Sequence, residues 1–159
     1  MIRELTYNNR ILSEQERVEF CEKSDEYINM FSECIEEICQ LATKIQESEN
    51  SDYDKITNTL ILTSTFTGYS FCDCIVLTKL FVRATNPYEK SFLRGKLKVQ
   101  LNESFKKLYG FSKKGYKDSH CAQLETIITM FPGFKSEFDE LLSDLEQISK
   151  NSWWKDERD

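Results

Sequence analysis

Apolar residues recur at helical spacing through most of this chain. From Ser13 onward, Phe20, Tyr27, Phe31, Cys34, Ile35, Ile38, Ala42 and Ile45 fall in one stripe, at about 100° per residue. Glu19, Glu22, Glu26, Glu33, Glu36 and Glu37 take the other side. The pattern predicts a one-sided surface helix to about Gln46 with an acidic outer face. Ser13-Glu-Gln-Glu16 is a capping box, in which the hydroxyl accepts from the Glu16 amide and the carboxylate reaches back. After a polar connector, Ser51 or Asp52 can cap the next helix.

The stretch from Asp54 to Ala84 is rich in Thr, Ile, Val and Phe but too long for a strand. Ile56, Leu60, Thr67, Phe71, Cys74, Thr78 and Phe81 keep helical spacing, and Leu62, Tyr69, Val76 and Leu80 take the opposite side. A helix apolar all round predicts a central, buried element. Asp73 is then expected to be a buried carboxylate paired with a Lys or Arg, Arg94 being the first choice.

Asn86-Pro87-Tyr88-Glu89 is the clearest helix start, with Asn86 as cap and Pro87 in the first turn. The helix should stop at Gly110. Leu93, Leu97, Leu101, Phe105 and Leu108 form its core stripe. Tyr88, Phe92, Gly95 and Val99 form a second stripe nearly opposite, which predicts a helix between two layers or at an interface. A Lys/Gly loop follows over 111–118. Leu124, Ile127, Ile128 and Phe131 mark a shorter helix ended by Pro132-Gly133, and Phe138, Leu141, Leu142, Leu145 and Ile148 a last one. The expectation is a single all-α domain over 1–159, an antiparallel bundle of about five helices with a long, largely buried second helix.

Composition supports this: only 5 Gly and 2 Pro in 159 residues argue against an all-β fold. The net charge of −6 argues against a polyanionic partner until it is divided along the chain. Residues 1–54 carry 5 Lys and Arg against 14 Asp and Glu, whereas residues 79–117 carry 11 against 2. The latter stretch is a candidate basic surface, if the acidic first helix does not lie against it.

The N-terminus has no apolar run of signal-peptide length, and the uncharged stretch 56–72 is too polar for a bilayer span. The six cysteines include no C-x-x-C pair, so reduced thiols in a cytoplasmic protein, with no metal and no cofactor, are expected. There is no phosphate loop and no nucleophile motif. The one histidine, His120, is expected to be a cap or surface residue rather than a catalyst.

The remaining constellation is basic residues interleaved with aromatics. Lys106, Lys107, Lys113, Lys114 and Lys117 are the candidate RNA-binding residues, because ammonium groups displace counterions and nearby rings stack bases. Phe92, Gly95 and Val99 are the candidate interface for a partner helix or a second copy, with Gly95 allowing close approach.

The long helix pair, the Asn86-Pro-Tyr-Glu-Lys-Ser-Phe-Leu-Arg-Gly-Lys-Leu helix and the Ser152-Trp-Trp-Lys-Asp-Glu-Arg-Asp159 tail together resemble the HEPN superfamily. These are all-helical bundles common in prokaryotic defence and toxin systems. Active members are metal-independent ribonucleases whose motif is an Arg, a polar residue and a His shortly after. Arg158 and Asp159 resemble the opening of that motif, and no His follows them in the chain. The resemblance implies an RNA-associated or defence-system module lacking a complete ribonuclease motif, either as part of a longer protein or as a non-catalytic relative. The alternative expectation is a non-enzymatic protein-interaction or dimerisation module.

Overall fold

The computed structural model describes residues 6–7, 10–46 and 51–151. The fold is all-α. Two short strands, β1 (Thr6–Tyr7) and β2 (Arg10–Ile11), pair antiparallel ahead of the helices, with Thr6 opposite Ile11. Then come α1 (Glu14–Gln46), α2 (Ser51–Arg83), α3 (Pro87–Leu108), α4 (Lys113–Lys117), α5 (His120–Ile128) and α6 (Lys135–Asn151). A 3-10 turn, Pro132–Phe134, joins the last two.

The helix starts follow local chemistry. The Ser13 amide donates to the Glu16 carboxylate at 2.8 Å, and the Glu16 amide donates to the Ser13 hydroxyl at 3.2 Å. Asn86 Oδ1 accepts from the Tyr88 amide at 2.8 Å. The stretch expected as a Lys/Gly loop contains α4, capped by Ser112, whose hydroxyl accepts from the Gly115 amide. This makes six α-helices among the described residues, where about five were expected. Gly110 has φ +80, and a Cβ there would lie 2.5 Å from the Gly115 backbone, so only glycine lets the chain double back onto α4.

The three long helices form an antiparallel layer. On one flank of α2, Phe31 meets Phe71 with ring centroids 4.6 Å apart, and Lys79 pairs with Asp25. On the other, Gln100 Nε2 donates to Asp73 at 3.1 Å, and Phe81 and Leu93 share a core. α1 and α3 meet each other at most marginally, because α2 lies between them. The acidic helix and the basic helix are therefore on opposite edges of the layer, and their charges face apart.

The core is in two pieces. Phe81, Ala84 and Leu93 form one, with Leu77 against it. Phe105, Cys121 and Leu145 form the other, lined by Leu108, Tyr109, Phe111, Tyr116 and Leu142. The second sits where α4, α5 and α6 close over the end of α3.

Two expectations fail on α2. It is central but not largely buried: only 11% of its most apolar window is buried, and Leu62 and Tyr69 are 62% and 58% exposed. α1 and α3 cover two flanks of it and α5 touches it at Thr63 and Phe66, which leaves the Leu62, Tyr69, Val76 and Leu80 stripe facing outward. Asp73 lies at the border between that open side and the α3 flank. It is an exposed carboxylate bonded to the Gln100 amide rather than a buried one needing a cation.

Candidate functional site

The turn at Gly110 carries the chain from α3 into α4 and opens a cleft of about 930 Å³ against α5 and α6. Tyr109, Phe111 and Tyr116 line its aromatic side. Phe105 and Phe111 stack at 5.2 Å, and Tyr109 meets Tyr116 edge-on at 5.7 Å. The rings are thus anchored on the second core and are half-buried where they line the cleft. Lys113, Lys117 and Lys150 supply cations, Glu125 and Glu146 carboxylates.

Much of this charge is engaged. The Tyr116 hydroxyl donates to Glu125 at 3.0 Å, and Lys150 pairs with Glu146 at 2.8 Å. Burial first, then the hydrogen bond to Glu125 and its negative charge, hold the Tyr116 phenol well above its ordinary range. Burial, then Glu146, also raise Tyr109. Phenols held protonated are poor proton acceptors near neutral pH. What the cleft offers is binding chemistry: aromatic side chains along one wall and ammonium groups at the rim.

The five lysines singled out from the sequence are all exposed but do not all line one cleft. Lys113 and Lys117 line the cleft. Lys107 sits 5.7 Å from the Phe66 ring, in a separate groove of about 430 Å³ between α2 and α3. Lys106 and Lys114 line neither. Arg158 and Asp159 lie outside the described residues.

The α3 stripe is open. Tyr88, Phe92 and Val99 are 82%, 55% and 61% exposed, and a Cβ on Gly95 would meet nothing within 4 Å. Lys96 lies 5.5 Å from the Phe92 ring.

His120 is the residue that sequence reasoning placed least well. It begins α5, stacks on Phe66 at 4.7 Å and shares a 3.1 Å hydrogen bond between Nδ1 and the buried Thr63 hydroxyl. It fastens α5 to α2. Burial, then the Lys107 charge, lower its pKa. Its cap is Ser119, the residue before it. No local signal could reveal a partner 57 residues away. Among the described residues, no group of three or more His, Cys, Asp or Glu is placed to hold a metal ion.

No protein-family model, curated protein or solved structure matches the chain.

Proposed function

We propose that this chain is a non-enzymatic helical interaction module that docks a protein partner on the outer stripe of α3. The observation that carries this reading is Tyr88, Phe92, Gly95 and Val99, spaced four, three and four apart and open to solvent along the edge of the layer. That spacing is the heptad seam of a helix that packs against another helix. Large apolar side chains aligned in this way mark an association site rather than scattered surface residues. Contrary to the expectation for 56–72, the Ile56–Arg83 stretch of α2 is long and apolar enough to cross a membrane by length and composition. Burying it in lipid would carry along α1, whose charged side chains cost about 2.5–3.5 kcal/mol each at the bilayer centre. Six unpaired cysteines suit a cytoplasmic setting.

A photo-crosslinking amino acid at position 99 tests the reading in the cell that makes the protein. The expected product is one discrete protein–protein adduct, lost when Phe92→Glu is added. Absence of any protein adduct would refute it.

RNA association is a second reading, supported by Lys113 and Lys117 at the rim of the aromatic cleft. Single-stranded RNA would stack on the tyrosines while its phosphates meet the lysines. Lys113→Glu with Lys117→Glu should then remove retention and flatten the salt dependence, with Lys106→Glu affecting it less. An unchanged binding curve excludes this reading.

A further inference from the structure

We infer that Trp153 and Trp154 dock into the cleft between α4, α5 and α6 of their own chain and complete the second core. The two residues follow α6, which is described as far as Asn151. The inference concerns a different surface from the α3 stripe and does not depend on it.

Reach and register name the occupant. Leu142, Glu146, Ser149 and Lys150 are the α6 positions that line the cleft. One helical turn beyond Ser149 and Lys150, the sequence has Trp153 and Trp154. Long side chains on a helix lean back over the turn before their own Cα, so indoles at these positions would lie over Ser149 and Lys150, at the cleft. An extended course from Asn151 serves as well, since two residues span about 7 Å. A segment tethered this closely meets the cleft at high effective concentration, ahead of a partner arriving from solution.

The chemistry of the wall agrees. Tyr109, Phe111, Tyr116 and Leu142 line the cleft, and all four are only half-buried. Its volume of about 930 Å³ is that of a pocket for a sizeable organic ligand, so two indoles fit. Tryptophan has among the largest apolar surfaces to cover, and the chain has only these two. A buried indole N–H needs an acceptor. Glu125 and Glu146 both line the cleft, and each has a second carboxylate oxygen beyond the one that Tyr116 or Lys150 engages. Charge does not decide the contact. The cleft carries Lys113, Lys117 and Lys150 with Glu125 and Glu146, and residues 155–159 carry Lys155 and Arg158 with Asp156, Glu157 and Asp159. Both signs on both sides leave burial of the rings as the driving force. A single-stranded RNA would have to compete with the tryptophans for this cleft.

The test reads the tryptophans directly, because the chain has no others. Excited where tyrosine does not absorb, the whole chain should emit to the blue of its urea-unfolded form, and acrylamide should quench it several-fold less. Nuclear Overhauser contacts from the indoles should run to Tyr116 and Leu142 and should persist on dilution. Trp153→Ser with Trp154→Ser should lower the urea midpoint of unfolding, since the second core loses its cover. Emission and quenching equal to those of the unfolded chain overturn the inference. Overhauser contacts to the Leu62, Tyr69 and Val76 stripe in place of the cleft also overturn it, as does shielding lost on dilution, which would put the rings in a second copy. An unchanged midpoint in the double variant overturns the claim that they complete the core. None of these outcomes alters what the crosslink at position 99 reads.

Discussion

α1 and α2 approach closely at Gly68, and the contact makes a sharp test of how the layer packs. A Cβ on Gly68 would lie 2.8 Å from Ile35 Cδ1 and 2.9 Å from Cγ1. Ile35 is among the most buried side chains of α1. Gly68→Ala thus has two opposed effects. Removing glycine from the middle of a 33-residue helix favours folding by about 1 kcal/mol. Forcing a methyl against Ile35 costs about 1–3 kcal/mol of overpacking, so the net change is a loss of about 0–2 kcal/mol. Ile35→Ala costs about 2–5 kcal/mol by itself, but it removes both obstructing atoms. In that background Gly68→Ala should stabilise by about 1 kcal/mol, because only the helix preference remains. The coupling between the two changes is then about 1–3 kcal/mol. Urea unfolding of the four proteins, with slopes compared to verify two-state behaviour, measures it. Additivity within about 0.5 kcal/mol would show that Gly68 and Ile35 are not in contact and that the helices cross elsewhere.

Two further outcomes are expected. Burial and Lys107 place the His120 pKa below its ordinary 6.5, so the native state binds fewer protons there than the unfolded chain. Its contribution is complete above the unfolded value and is lost as pH falls from there through the folded value; His120→Gln should remove that slope from a plot of unfolding free energy against pH, and an unaltered slope would contradict the assignment. Cys121 is wholly buried, and burial followed by Glu125 pushes its thiol up to about 11. A thiol reagent should modify exposed Cys34 and Cys39 promptly and Cys121 only on unfolding; rapid labelling of Cys121 would mean that the second core opens readily.

Much of the fold was legible because its punctuation is local. The capping box at Ser13, the Asn86-Pro87 start and the Gly110 stop act within a few residues, and the structure realises all three. What was not legible is burial. An all-round apolar helix says that its surface prefers cover, not how many neighbours supply it, and α2 has only two full flanks covered. The same gap explains Asp73, whose environment depends on which side of α2 stays open. The lysines could be named from the sequence, but α4, α5 and α6 decide which of them meet. Tyr116 with Glu125 and His120 with Thr63 are tertiary pairs with no local signature.

The two cores share no side chain, yet both hold α3: Leu93 belongs to one and Phe105 to the other. Twelve residues of helix, about 18 Å, join them along α3, and the His120 contacts with Thr63 and Phe66 tie α5 back to α2. Cooperativity between the two ends of the molecule then rests on the stiffness of α3 and on this cross-brace rather than on one continuous core. The segment between Leu93 and Phe105 acts as a coupling rod. If it stays helical and the brace holds, the protein unfolds as one unit; if both give way, the molecule becomes two foldons that melt on their own terms.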